Sequence, residues 1–352
     1  MPPRVRRLAS LPPVSSRRRG PAAGTSTTTA PSDPVEAPRG GLRAPCPCGS
    51  GKRYKQCHGR ARAGTAFVAR PFEGLTNETD WVAFREIVPA ATMRARTTEG
   101  TEVVFATVLP VAWPALRRVD GSVFVGIQAA DASSDASRDL AAAMDAALAA
   151  TGPGPITHVD ARASTARLQD RLDPDVAPEI QVHAGFDFWL DGVLDTGPGE
   201  AEDPTDPLSA LAPQVRASLE RANEAVVPTE RLTSAPSAYW ARIGGNTHLR
   251  WIIDTPEDAF LDALARLHAQ RDAAGAPLST LGPGTRFAGF FRAYGLVVPV
   301  WDLADDATAE ATEEPLAALA ERFRAALAET GPLDADARRA RAGLMSRQVT
   351  LR

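Results

Sequence analysis

The sequence contains few cysteines and lysines and has no long apolar run. Its 352 residues include three cysteines, and two lysines stand among its 39 basic residues. Three cysteines cannot all pair within one chain, so we do not expect a disulfide framework. No apolar run approaches the roughly 18 residues of a membrane-spanning helix, so we expect no membrane span. Cysteine confined to one segment fits a reducing compartment, and we expect a cytoplasmic protein.

All three cysteines and both lysines lie in one segment, Ala44 to Gly59. The candidate metal ligands there are Cys46, Cys48, Cys57 and His58. Three thiolates and one imidazole form a donor set that is typical of closed, structural Zn²⁺ sites. Because Tyr54 is the one large apolar residue in the segment, burial alone cannot fold it, whereas bound zinc can supply the missing free energy. The sequence therefore predicts a zinc knuckle over residues 41–62.

Two other interpretations of this segment fit less well. A catalytic thiol needs an open position for a substrate, and three clustered cysteines with a histidine favour a closed metal site. A phosphate-binding loop around Gly49 to Lys52 fails the pattern, because Cys46 stands where the first glycine belongs and Arg53 replaces the expected Ser or Thr.

The run C-P-C-G-S-G-K-R-Y-K-Q-C-H-G resembles the SEC-C motif, the zinc-binding tail of the bacterial preprotein-translocase motor SecA, which also occurs on many unrelated bacterial proteins. The resemblance places the family's four zinc ligands on the same four residues. It implies docking to a ribosome or to an acidic export chaperone such as SecB through a basic surface. The candidate contact residues are Lys52, Arg53, Lys55 and Arg60. The ATPase motifs of the motor are absent, so the resemblance implies no translocation.

A basic arm precedes the knuckle. Residues 1–62 carry a net charge of +11, and the remainder carries −15. Residues 1–40 are rich in Arg, Pro, Ser and Thr and have almost no apolar clusters, so we expect them to be disordered. The arm could contact RNA phosphates or the acidic remainder of the chain, or be a solvated tail. The whole layout, ending in G-L-M-S-R-Q-V-T-L-R, resembles an uncharacterised family of SEC-C-bearing proteins from actinobacteria.

Residues 63–352 predict an α+β body with mixed or antiparallel sheets, because helical and strand-like patterns alternate along it. Helices are predicted over 79–88, 137–150, 255–270 and from Pro315 to Thr330. Strands are predicted over 102–109, 122–128, 181–190, 239–243, 248–253, 287–291 and 296–301. A helix–strand–strand–helix order occurs twice, so halves over 66–160 and 180–352 suggest an internal duplication, with common α+β architecture as the alternative.

The body carries no recognisable catalytic motif, so we expect it more readily to bind than to catalyse. Polar and aromatic residues nevertheless gather near one predicted strand and the hairpin after it. They are His183, Asp187, Trp189, Asp191, Tyr239, Arg242, Arg250, Trp251 and Asp254. Asp187, Trp189 and Asp191 would share one strand face and could line a groove; alternatively, Trp189 packs under a helix and the acids face solvent.

Three functions stay open at this stage. The first is a zinc-containing docking protein whose body binds an unidentified ligand. The second is an enzyme with its active site in the acidic body and a structural zinc. The third is a nucleic-acid-binding protein that acts through the basic arm. The oligomeric state is left open.

Overall fold

The computed structural model describes residues 67–128, 133–160, 165–189 and 212–347. The predicted zinc knuckle, its four ligands, the candidate docking residues and the basic arm lie outside the described residues, as do Leu190 and Asp191. Within the described ranges the body is α+β with one mixed and one antiparallel sheet, which confirms the predicted fold class.

The described residues form six α-helices. They are α1 (Glu78–Glu86), α2 (Ala136–Ala149), α3 (Pro213–Glu224), α4 (Glu257–Ala269), α5 (Ala309–Ala328) and α6 (Ala335–Met345). The helix predicted at 137–150 is confirmed as α2, but Asp135 caps it, accepting a hydrogen bond from the Ser137 amide. No described helix is long and apolar enough to cross a membrane.

The first sheet has six strands in the order β5-β3-β4-β2-β1-β6. They are β1 (Ala91–Arg96), β2 (Glu102–Ala106), β3 (Ala115–Arg117), β4 (Val123–Gly126), β5 (Gly154–Ile156) and β6 (Glu179–Val182). The β2 and β4 strands pair in parallel, and the other neighbours are antiparallel. One face of this sheet packs on α1 and α2.

The second sheet has five strands in the order β10-β11-β9-β8-β7, all antiparallel. They are β7 (Thr229–Leu232), β8 (Ala238–Ile243), β9 (Asn246–Trp251), β10 (Arg286–Ala293) and β11 (Leu296–Asp302). The hairpin predicted between residues 239 and 253 is confirmed as β8 and β9. Its turn is Gly244–Gly245, whose φ angles of 57° and 89° suit glycine. Helices α4 and α5 cover this sheet.

Helix α1 carries buried polar contacts to the second sheet. The Asp80 carboxylate accepts hydrogen bonds from Ser237 and Arg231. The Arg250 guanidinium donates to the carbonyl of Ile87, the residue that caps the carboxyl end of α1, with Nη2 and O 2.9 Å apart. Burial lowers the pKa of Arg250 to about 10, and the partial negative charge of a helix carboxyl end favours a cation there.

Two predicted elements need correction. Pro315 does not begin its helix, because Thr308 caps α5 seven residues earlier with its side chain bonded to the Ala311 amide. Proline removes one backbone donor, so the carbonyl of Ala311, four residues earlier, receives no helical hydrogen bond from it, and Ala311 is an exposed residue. The strand predicted over 181–190 ends at Val182, and residues 184–187 form bends and a turn.

The two passes that suggested an internal duplication differ in strand pairing. In the first pass, β2 and β4 are direct neighbours that pair in parallel, and β3 lies between them along the chain but not in the sheet. In the second pass, β10 and β11 form an antiparallel hairpin. The described topology therefore fits a common α+β architecture better than a repeat of one unit.

Candidate functional site

An open groove lies on the second face of the first sheet. The strand β1 creates this face by alternation, since Ala91, Met93 and Ala95 are buried in the core while Thr92 and Arg94 point to the opposite side. The groove has a volume of about 470 Å³, within the range of ligand pockets. We call it the His183 groove; its lining is Thr92, Arg94, Val104, Phe124, Gln181, His183, Ala184, Gly185, Asp187 and Phe188.

His183 is held in a defined position at the groove. Its Nε2 lies 2.9 Å from Thr92 Oγ1, and its ring stacks on Phe188 with ring centres 4.5 Å apart and an interplanar angle of 27°. Burial lowers the pKa of His183 below its ordinary value, which keeps the imidazole neutral near pH 7. The hydroxyl and imidazole resemble a nucleophile–base pair, but no described carboxylate bonds to the other ring nitrogen, so we assign no catalytic role.

An apolar cluster supports the floor and the wall of the groove. Phe124 belongs to a buried cluster with Phe186, Trp189 and Leu219 of α3. The Trp189 indole donates to the Val108 carbonyl, with Nε1 and O 3.1 Å apart. Trp189 is thus a core residue packed with a helix residue, and it does not line the groove, contrary to the interpretation that placed it on a polar strand face.

Asn223 of α3 fixes the wall of the groove. Its Oδ1 accepts from the Phe186 amide at 2.7 Å, and its Nδ2 donates to Asp187 Oδ1 at 3.1 Å. Gly185 is required beside it, because a Cβ atom at that position would lie 2.9 Å from Asn223 Oδ1. The bend that ends the predicted strand is therefore built around this asparagine.

Two charged groups, Arg94 and Asp187, stand at the rim of the groove. Arg94 pairs with Glu102 at 2.7 Å between Nη1 and Oε1, and both side chains are exposed. Asp187 is exposed and receives the Asn223 bond described above. Gln181 is exposed, and its side chain has no hydrogen-bond partner in the described ranges. The groove thus offers an apolar floor, one neutral imidazole and the free side-chain amide of Gln181.

The hairpin residues of the predicted cluster lie elsewhere. Trp251 is in the core of the second sheet, and Arg242 lies over the Trp240 ring at 5.4 Å. Asp254 pairs with Arg70 at 2.7 Å. Tyr239 is buried, its hydroxyl has no described partner, and burial raises its pKa. The structure therefore joins His183 and Asp187 in one groove and separates the hairpin residues from them.

Two other histidines of the body, His268 and His248, each bond to a polar side chain, but neither pair forms a catalytic arrangement. His268 Nδ1 lies 2.9 Å from Ser279 Oγ, but Ser279 is fully buried, and burial and two arginines lower the pKa of His268. His248 bonds to Asp302, which Arg286 also contacts. Among the described residues, no group of three or more potential metal ligands comes together.

Of the ten residues that line the groove, the predicted cluster contained His183 and Asp187, and it missed the other eight, including Thr92 and Arg94 of β1. The signal was present in the segment 91–96, where small or apolar residues alternate with Thr and Arg. That strand was overlooked because its core-facing residues include two alanines, which seldom mark a strand.

The chain matches two families of known proteins, one over the segment that contains the cysteines and one over the body. The SEC-C motif matches residues 43–60, and a family of unknown function, DUF5926, matches residues 71–352. No solved structure matches the chain significantly.

Curated relatives match in the SEC-C region. The chain is 60% identical over 40 residues to protein translocase subunit SecA of Thiobacillus denitrificans, and 76% identical over 26 residues to that of Methylibium petroleiphilum. These matches cover 11% and 7% of this chain, and 4% and 3% of the SecA chains. The chain therefore belongs, through the body that carries the His183 groove, to the DUF5926 family, and it bears a SEC-C motif ahead of that body.

Proposed function

We propose that the protein is a zinc-containing docking protein of the cytoplasm. In this proposal the SEC-C motif attaches the chain to an acidic partner, a ribosome or an export chaperone, and the DUF5926 body binds a ligand. The observation that carries the proposal is the SEC-C match over residues 43–60. This segment contains all four candidate zinc-coordinating residues.

The chemistry of the donor set supports zinc. Cys46, Cys48, Cys57 and His58 would hold the ion. Three thiolates and one imidazole fill a tetrahedral Zn²⁺ shell and leave no open position, so the ion would fold the knuckle and supply no catalysis. The complex of one divalent cation with three thiolates carries a net charge of −1, which the neighbouring basic residues offset.

The charge of the knuckle supports an acidic partner. Lys52, Arg53, Lys55 and Arg60 place four positive charges within nine residues, and both lysines of the chain are among them. Such a cluster raises the association rate with an acidic surface and makes the association dependent on salt. We assign the docking contacts to these four residues.

The docking test uses the full chain and separates the metal from the charge. A Cys57→Ser, His58→Ala double variant removes two ligands, and a Lys52→Glu, Lys55→Glu double variant reverses two charges while leaving all four ligands. We expect both to lose co-sedimentation with ribosomes or chaperone capture, and the charge variant to retain zinc. His158→Ala, an exposed histidine of the body, is the matched control.

The outcomes of this test separate the proposal from its alternatives. Partner capture that is unchanged in both double variants contradicts the docking role. Binding of ribosomes that survives both double variants but disappears when residues 1–40 are deleted assigns the contact to the basic arm and to RNA. In that case the SEC-C motif is a structural zinc site alone.

The ligand of the body belongs, in this proposal, to the His183 groove. The support is geometric: a concave site of about 470 Å³ combines an apolar floor with a few fixed polar groups, which is the usual composition of a small-molecule site. The Asn223 bonds and the Thr92 contact hold its wall in place.

A further inference from the structure

We propose that the His183 groove binds the planar, uncharged heteroaromatic ring of a small molecule. This inference rests on the assignment of the groove as the ligand site of the body, and it adds the chemical class of the ligand. Three independent features of the described residues lead to it: a stacked pair of rings above an apolar floor, hydrogen-bonding groups without charge, and rim charges that disfavour an anion.

The stacked pair gives the groove a flat recognition surface. His183 and Phe188 are nearly parallel, with ring centres 4.5 Å apart, and both line the groove. The position of His183 is fixed from the strand side by Thr92 Oγ1 at 2.9 Å. Aromatic surfaces favour planar rings by offset stacking or edge contact, so this wall prefers a flat ligand over a bulky aliphatic one.

The floor complements such a ring. Val104 and Phe124 stand opposite each other on the parallel strands β2 and β4 and both contribute to the lining. Phe124 is 7% exposed, so it forms a firm base that is held in the cluster with Phe186 and Trp189. A ring inserted between this floor and the His183–Phe188 wall would exchange water for apolar contacts on both faces.

Two uncharged hydrogen-bonding groups are available at the edge of the groove. Gln181 offers an amide that has no partner in the described part of the chain, and His183 offers its Nδ1. An amide can donate and accept at once, and an imidazole nitrogen can do either. These groups match a ring whose edge carries both a donor and an acceptor.

The charges at the rim argue against an anionic ligand. Arg94 is paired with Glu102, and the Asp187 carboxylate accepts a hydrogen bond from the neutral Asn223 amide but has no cationic partner among the described residues. An anionic group would have to compete with Glu102 for Arg94 and would lie near the like charge of Asp187. A neutral ring avoids both effects.

The test follows the imidazole resonances of the full chain by ¹H–¹⁵N correlation spectroscopy. With five histidines the spectrum is small, and His183→Gln assigns the relevant signal. The probes are adenosine, uridine and nicotinamide, and cyclohexanol is the non-planar control. We expect at least one ring probe to shift the His183 signal saturably with a Kd below about 10 mM, and cyclohexanol to leave it unmoved.

Two variants check the contacts. Phe188→Leu keeps an apolar group but removes the stacked ring, and we expect it to weaken probe binding about tenfold, which corresponds to about 1.4 kcal/mol. Phe188 also contacts the aromatic cluster, so its replacement can disturb the fold. Gln181→Leu, a substitution at an exposed residue, is therefore a second test and should weaken probe binding severalfold. Phe67→Leu is the matched control, because Phe67 is 79% exposed and does not line the groove.

Each possible result decides the matter. Saturable shifts with the ring probes, weakened by both variants and absent with cyclohexanol, support the inference. Equal shifts with cyclohexanol overturn the ring preference but leave the groove as an apolar ligand site. No shift of the His183 signal with any probe overturns both the ring preference and the assignment of the groove. None of these three results bears on docking, which the SEC-C variants test separately.

Discussion

Ser237 donates its hydroxyl to the carboxylate of Asp80, with 2.6 Å between Oγ and Oδ1. Asp80 is 3% exposed and lies in the first turn of α1, and Ser237 is 1% exposed and precedes β8. Arg231 of β7 donates to the other carboxylate oxygen at 3.0 Å. One buried acid thus ties α1, which packs on the first sheet, to β7 of the second sheet and to the residue that precedes β8.

The first prediction concerns this link. Asp80→Ala leaves Arg231 and Ser237 without their acceptor, and breaking a buried ion pair from one side costs about 3–5 kcal/mol. We expect the free energy of unfolding to fall by about 3 kcal/mol, because Arg231 remains partly hydrated. Urea denaturation followed by tryptophan fluorescence measures this. Asp305→Ala, a change of an exposed acid, should have little effect, and an equal loss in both variants would contradict the account.

The second prediction concerns the wall of the groove. Gly185→Ala places a Cβ atom against Asn223 Oδ1, so the side chain of Asn223 must move and weaken its bonds to Phe186 and Asp187. We expect a loss of about 1–2 kcal/mol in unfolding free energy. Gly152→Ala is the control, because a Cβ atom there has no neighbour within 4 Å.

A double-mutant cycle makes this second prediction specific. In the Asn223→Ala background the obstructing oxygen is gone, so Gly185→Ala should then cost less than in the natural chain. If the cost of Gly185→Ala is the same in both backgrounds, the wall is not built around Asn223.

The third prediction concerns pH. The Glu313 carboxylate accepts from the Thr233 amide at 2.8 Å and the Ser234 amide at 2.9 Å. Desolvation alone would raise the pKa of Glu313, but hydrogen bonds from Ser234 and Thr233 outweigh it and lower the pKa below its ordinary 4.5. Because the folded pKa is the lower one, this group stabilises the fold above about pH 4.5, and the contribution is lost as pH falls through the folded value.

The measurement for Glu313 compares unfolding free energies between pH 3 and pH 7. Glu313→Gln should be less stable than the natural chain at neutral pH, and the difference should shrink below about pH 4.5. Glu321→Gln, an exposed change on the same helix, should show a much smaller difference. If the difference in unfolding free energy between Glu313→Gln and the natural chain stays constant with pH, the charge of Glu313 does not contribute to stability.

Local signals predicted much of the body. The hairpin of β8 and β9 follows from Gly244–Gly245 between two alternating apolar runs, and α2 follows from the spacing of Leu140 and Met144. These features need only neighbouring residues, so the sequence contains all the information for them. The parallel pairing of β2 with β4 is set by packing among distant segments, and no local pattern reveals it.

The errors also have physical causes. Phe186 and Phe188 alternate as a strand would, but Phe186 and Trp189, three residues apart, are the residues buried in the core. The signal against a strand was Gly185, which accommodates the close approach of an asparagine 38 residues later. The groove itself depends on β1, on the bend after β6 and on α3, so its assembly required the tertiary structure.

The central claim, that the SEC-C segment is a zinc site, is tested most directly by the metal content of the purified full-length chain under reducing conditions. We predict close to one zinc per chain, and a loss of that zinc in the Cys57→Ser, His58→Ala variant. A chelator should release the metal while circular dichroism and tryptophan fluorescence of the body stay unchanged, because the body has its own apolar cores. A natural chain without metal after expression with added zinc would contradict the assignment of all four ligands.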